Sequence, residues 1–237
     1  MSQQRTHTIQ CPKCGREQPV ELYDSINVKD SPGLRDRLIA NQINIVTCEG
    51  CGATFRVDKN LLYHDPGHGF MVYLAPRFDE APDAAEREFT ESLRELNCAL
   101  PKGIKAPYVT LVATRSELVE RIFLLEAGLN ERVIEYIKHL IYSKNIERVD
   151  PLRKNLLFDA QDSTPETLCF VVQDAGTRRL EAMLQYDRKT YTAMCEMFDR
   201  DDQTGALLEL FPGPRISARA VFQREAVDPK APRPAES

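Results

Sequence analysis

Two short cysteine pairs constrain this chain more than any other feature. Cys11-Pro12-Lys13-Cys14-Gly15 and Cys48-Glu49-Gly50-Cys51-Gly52 repeat one pattern, C-x-x-C-G. Two residues between cysteines let one tight turn aim both sulfurs at a single ion, and two such turns supply the four soft ligands of a tetrahedral zinc site. The glycine after each second cysteine lets the chain turn back through a positive φ without a Cβ clash. Cys11, Cys14, Cys48 and Cys51 are therefore expected to hold one structural Zn2+ ion per chain. A thioredoxin-like redox pair is the rival reading of C-x-x-C, but it needs a strand before the motif and a helix after it. Here each pair runs into glycine and an extended segment.

The chain has seven cysteines, an odd number, and its start, MSQQRTHTIQ, has no apolar signal core. A reducing, cytoplasmic setting is expected and a disulfide framework is not. No apolar run is long enough to span a membrane.

Between Cys14 and Cys48 lie 33 residues, more than the roughly 15 to 20 of the commonest spacing between two such pairs. Ser31-Pro32-Gly33-Leu34 reads as a helix start, with Leu34 and Leu38 on one face. Around it Thr8–Gln10, Val20–Tyr23, Ile43–Val46 and Thr54–Val57 read as strands entering and leaving the two knuckles. Hairpin, helix, hairpin predicts a zinc ribbon with an inserted helix.

These residues resemble a known family. Cys11-Pro12-Lys13-Cys14, Asp24-Ser25-Ile26-Asn27-Val28, the second knuckle and Leu61-Leu62-Tyr63-His64-Asp65 resemble the CpXC family of bacterial and archaeal proteins. The likeness continues more weakly through Glu117–Ile122, Glu126–Leu129 and Arg132–Glu135, and covers roughly the first 140 residues. The resemblance implies a zinc-binding domain and its limits, and implies no reaction.

Further along, Leu61–Tyr63 and Phe70–Leu74 flank a turn, so the sheet is expected to extend beyond the ribbon. Capping-box patterns at Asp83-x-x-Glu86 and Thr114-x-x-Glu117 open helices, Gly128 ends the second of these, and Asn130 caps a third. Asp150-Pro151 breaks the pattern and is the expected domain boundary. Beyond it, Leu156–Ala160, Thr167–Gln173 and Leu180–Tyr186 read as strands, Asp187 caps a helix, and Ala218–Phe222 reads as a short strand. The predicted class is α+β. A CpXC-like unit spans 1–147, with the ribbon at about 5–76 and a helical part at about 80–145. A small antiparallel sheet plus helix follows at 148–222, and a disordered tail at 223–237.

No phosphate loop, nucleophile elbow, H-E-x-x-H or complete G-x-G-x-x-G is present. The favoured reading is a non-enzymatic interaction or scaffold protein that meets an unidentified protein partner. One alternative is an enzyme with a site in a cleft near His64. His64 and His68 lie four apart beside Asp65, a stretch equally suited to a structural hairpin. A second alternative is a nucleic-acid-binding ribbon, but residues 1–75 carry 8 basic and 8 acidic side chains, a balance that argues against phosphate recognition. His139 reads as a helix-surface or satisfied core residue. Cys98, Cys169 and Cys195 read as small buried hydrophobes, and Arg132, Lys138, Arg178 and Arg179 as solvated charge.

Overall fold

The structure is a computed structural model that describes residues 2–78, 80–99, 107–199, 201–212 and 214–227, without the side chains of 83, 96, 97, 99 and 201–204. Among these it is a mixed α+β protein with seven helices. It separates into two compact units, Met1–Val119 and Glu120–Ser237.

The first unit is built on a five-stranded sheet. Strands β1 (Gln3–Gln10) and β2 (Glu17–Asn27) form an antiparallel hairpin around the first cysteine pair. Helix α1 (Gly33–Ile39) follows, burying Leu34 and Leu38 as their spacing predicts. Pro32, not Ser31, occupies the capping position. A second small hairpin, β3 (Ile45–Thr47) and β4 (Thr54–Arg56), encloses the second cysteine pair. The chain then returns to the large sheet as β5 (Leu61–Asp65), parallel to β2 and antiparallel to β6 (Phe70–Leu74). Helix α2 (Pro82–Ala99) precedes β7 (Tyr108–Val112), which pairs parallel with β6. The order is β1-β2-β5-β6-β7.

The sheet thus extends beyond the knuckles, as the Leu61–Leu74 pattern predicts. All five residues of β6 are buried, as expected for a strand covered on both faces. Tyr73 and Leu111 on one face meet Phe89 of α2. Helix α3 (Arg115–Glu126) opens with the predicted capping box. The Glu117 amide donates to Thr114 Oγ1 at 3.2 Å, and Glu117 Oε2 accepts from the amides of Ala113 and Thr114.

The division between units falls inside α3 and not at Asp150-Pro151. Helix α4 (Glu131–Lys144), capped by Asn130 as predicted, packs Val133, Ile134 and Ile137 into one core with the sheet that follows. That sheet, in the order β10-β9-β8, consists of β8 (Lys154–Asp159), β9 (Thr167–Asp174) and β10 (Leu180–Asp187). Its inward row of Leu156, Phe158, Leu168, Phe170 and Val172 is too apolar for one helix to cover. Helices α5 (Arg188–Phe198), α6 (Asp201–Leu210) and α7 (Ala218–Val227) complete the unit. Residues 218–222 are therefore helical and not a strand. Ala218, Val221 and Phe222 recur at helical spacing, and Ser217 Oγ accepts from the Ala220 amide. The expected tail at 223–237 begins inside α7; residues 228–237 lie outside the described residues.

Lys138 is buried rather than solvated. Its ammonium meets Glu120 at 2.5 Å and Glu135 at 2.8 Å, while Arg121 meets Glu131 at 2.5 Å and Glu135 at 3.5 Å. Glu120 also accepts from the Phe158 amide, and Glu135 from the Ala218 amide, so the charges tie α3 and α4 to β8 and α7. Burial pushes the Glu120 carboxyl up, against the pull of Lys138. For Lys138, burial pulls down, but Glu120 and Glu135 outweigh it and the ammonium is held above its usual range. Deleting one partner strands the others without water, at a cost of about 3 to 5 kcal/mol. Lys138→Met is expected to lower the unfolding free energy of residues 120–227 by that amount in urea titration followed by hydrogen exchange. A loss under 1 kcal/mol would show that the carboxyls simply take up protons.

Candidate metal centre

The two knuckles are built alike, from backbone geometry written in their sequences. In the first, the Cys11 amide donates to Arg16 O at 2.8 Å and the Gly15 amide to Cys11 O at 2.9 Å. In the second, Cys48 donates to Ala53 O at 2.8 Å and Gly52 to Cys48 O at 2.9 Å. Gly15 and Gly52 have φ of 74° and 67°, the left-handed region that the pattern predicts and that L residues avoid.

These turns face one another. The Sγ atoms of Cys11 and Cys51 are 3.7 Å apart, and those of Cys14 and Cys48 are 3.6 Å apart. All four Sγ atoms lie within 4.8 Å of one another. A disulfide requires about 2.05 Å, whereas the edge of a tetrahedron with metal–sulfur bonds of about 2.3 Å is about 3.8 Å. The donor set and its spacing therefore fit a tetrahedrally coordinated metal ion. Each sulfur pair joins one hairpin to the other, so an ion held here cross-links β1-β2 to β3-β4. Cys11 and Cys48 are buried, Cys51 is half-buried and Cys14 is exposed.

The thiols of Cys48 and Cys14 hold their protons unequally. Backbone amides, that of Cys51 foremost and that of Gly50 also, outweigh burial and bring Cys48 down to about 6. The Arg16 amide pulls Cys14 down, but the facing thiols of Cys48, Cys51 and Cys11, together with burial, push it up to about 11.

The second hairpin makes no strand pairing with the large sheet among the described residues. Two side-chain amides connect it instead. Gln18 of β2, only 4% exposed, donates through Nε2 to Thr47 O at 3.1 Å and accepts through Oε1 from the Glu49 amide at 3.0 Å. Asn44 accepts from the Tyr23 amide at 2.8 Å and donates to Tyr23 O at 3.1 Å. Its φ of 58° is one that asparagine tolerates. From the far side, Arg115 donates to Ile43 O at 3.0 Å. Sequence reading missed all three, although an asparagine just before a strand was a legible hint at Asn44.

The other candidates do not converge on a site. His64 sits on β5, half-buried, its Nδ1 3.3 Å from Asn27 Nδ2, and burial pulls its imidazole below the usual range. His68 is exposed, with Nδ1 2.8 Å from Asp65 Oδ2. Asp65 also accepts from the amides of Gly67 and His68, so it organises the turn. A shallow hollow lined by Ser2, Gln4, Tyr23, Ser31, Gly33, Leu34 and Arg37 includes neither histidine. Among the described residues no second group of three or more His, Cys, Asp or Glu converges as the four cysteines do. His139 stacks on Phe222 with centroids 4.9 Å apart. Cys169 is buried and Cys195 half-buried, but Cys98 is exposed, against expectation. Arg132 donates to Phe211 O at 2.9 Å, whereas Arg178 and Arg179 are exposed as expected. No helix among the described residues is long and apolar enough to cross a membrane.

Because metal binding must expel the thiol protons, affinity should fall with pH, and more steeply below about 6, where the Cys48 thiolate takes up its proton. Chelator competition between pH 5 and 8 should show log affinity against pH gaining about one proton in slope on the acid side. An unchanged slope across that range would mean that the amides around Cys48 do not hold it as a thiolate.

The family model described as CpXC protein matches residues 9–138, more than half of the chain and inclusive of all four cysteines. No curated protein and no solved structure matches. The chain belongs to the CpXC family.

Proposed function

We propose that this CpXC protein uses Cys11, Cys14, Cys48 and Cys51 to hold one zinc ion in a zinc-ribbon-like pair of hairpins. The ion is structural, and the chain is a non-enzymatic interaction or scaffold protein. The observation that carries the reading is the approach of four cysteine sulfurs from two separate hairpins to tetrahedral spacing. Four protein thiolates leave no coordination position for water or substrate, as is usual for structural zinc and unlike catalytic sites with three protein ligands. When bound, zinc would join the two knuckles directly, where the side-chain contacts of Gln18 and Asn44 otherwise link the second hairpin to β2. A thiolate site also calls for a reducing compartment, which supports the cytoplasm as its setting.

A protein partner suits the knuckle surface better than nucleic acid does. Lys13 and Arg16 are offset there by Glu17 and Glu49, and Arg16 lies 3.4 Å from Glu49. Such a surface has few counterions to gain by neutralising a phosphate backbone.

Native mass spectrometry should find one zinc per chain in the wild type and in His64→Ala, and none in Cys48→Ser, whose hydroxyl stays protonated near pH 7. Because β1 and β2 belong to the five-stranded sheet, zinc loss should expose the amides of Cys11, Gly15, Cys48 and Gly52 to rapid hydrogen exchange while β5 and β6 stay protected. Full zinc retention by Cys48→Ser, or loss of half or more of the zinc from His64→Ala, would contradict the four-cysteine assignment.

A further inference from the structure

An ion held by two hairpins stays bound only while both hairpins stay in place. Thiolates leave a metal one at a time, and one that has let go returns quickly only if its backbone is still held at bonding range, where its effective concentration is high. What holds the residues on either side of Cys48 is therefore part of the metal centre, although it touches no sulfur.

Gln18 is placed for that task. It lies on β2, one residue beyond Glu17, which closes the ladder around the first knuckle opposite Gln10. Its carboxamide reaches the two residues that flank Cys48: Nε2 donates to Thr47 O and Oε1 accepts from the Glu49 amide. Both polar atoms are used, and the residue is 4% exposed, so water is a poor substitute for either partner. One side chain thus fixes the height of Cys48 against the first knuckle, while the Cys48 sulfur lies 3.6 Å from that of Cys14. Asn44 docks the same hairpin but at its other end, on Tyr23, away from the cysteines.

We propose that Gln18 is a positioning residue of the four-cysteine centre, holding the second knuckle in register with the first so that metal is retained. This rests on the reading of that centre as a zinc site. Partners that orient the ligands of a metal typically contribute 10- to 100-fold to its affinity. A residue serving only the fold would change stability without changing how fast metal leaves the folded protein.

The test uses the full-length, zinc-loaded chain and transfer of Zn2+ to a chromophoric chelator at fixed pH, with hydrogen exchange in parallel. Gln18→Met keeps the length and removes both bonds. Gln18→Glu keeps the acceptor for Glu49 and sets an oxygen against Thr47 O. Both variants should still take up one zinc and keep the amides of β5 and β6 protected. Gln18→Met should release zinc about 10- to 100-fold faster than wild type, and Gln18→Glu faster than wild type. Asn44→Gly, which keeps the positive φ and deletes the other amide, should leave the rate within about a factor of two, since it spares Thr47 and Glu49.

Wild-type release rates in both Gln18 variants, equal acceleration by Asn44→Gly, or global loss of protection in both Gln18 variants would each overturn the proposal. The last outcome would make Gln18 a residue of the fold alone. A wild-type chain that binds no zinc would instead remove the premise, and stoichiometry measured first separates that failure from the others.

Discussion

The first unit depends on bringing two small, separate turns to one point. Each knuckle is locally determined: a cysteine amide closes the turn, a glycine at positive φ reverses it, and two sulfurs emerge on one side. Neither turn buries enough apolar surface to find the other, and the 33 residues between Cys14 and Cys48 give no short route between them. Four sulfurs within 4.8 Å, two of the contacts at 3.6 and 3.7 Å between hairpins, close that gap. Helix α1, the β2–β5 crossover and the amide contacts of Gln18 serve the same closure, while Asn44 docks the far end of the second hairpin on Tyr23.

The two hairpins nevertheless stand on unequal ground. The first is the edge of a five-stranded sheet with buried Leu22, Ile26, Tyr63 and Val72. The second has three residues per strand and joins the sheet through side-chain amides. A cross-link adds most where backbone pairing is least, so a metal bound by the four cysteines would matter chiefly to residues 43–57. This is why loss of the ion should loosen the knuckles without dissolving the sheet. The second unit has a different organising element, the buried Arg121, Lys138 and glutamate network that ties two helices to β8 and α7.

What was legible in the sequence was what neighbours along the chain decide. The C-x-x-C-G spacing picked out the four cysteines that converge, glycine and asparagine marked Gly128 and Asn130 as helix ends, and Thr114-x-x-Glu117 marked the start of α3. Apolar runs on either side of a cluster of turn residues located β5 and β6, and strand-like runs located the three strands of the second sheet. What was not legible depends on partners distant in sequence. Nothing local distinguishes Gln18 from a surface glutamine, because Thr47 and Glu49 are 29 and 31 positions away. Lys138 reads as solvated until Glu120 and Glu135 are seen against it. The Asp150-Pro151 break is a real end of regular structure, but α4 shares its apolar face with the sheet beyond that break, and packing rather than chain punctuation sets the unit. Ala218–Phe222 was misread because five residues are too few to separate a strand from a helix by period.

X-ray absorption at the metal edge of the purified full-length chain reads the coordination shell of the four cysteines directly. A zinc edge is expected, with fine structure fitted by four sulfur neighbours at about 2.3 Å and no nitrogen or oxygen shell. Two or three sulfurs completed by lighter atoms would contradict the four-cysteine centre and bring a histidine or water back into consideration. An iron edge would leave the ligands standing and overturn the assignment of the metal.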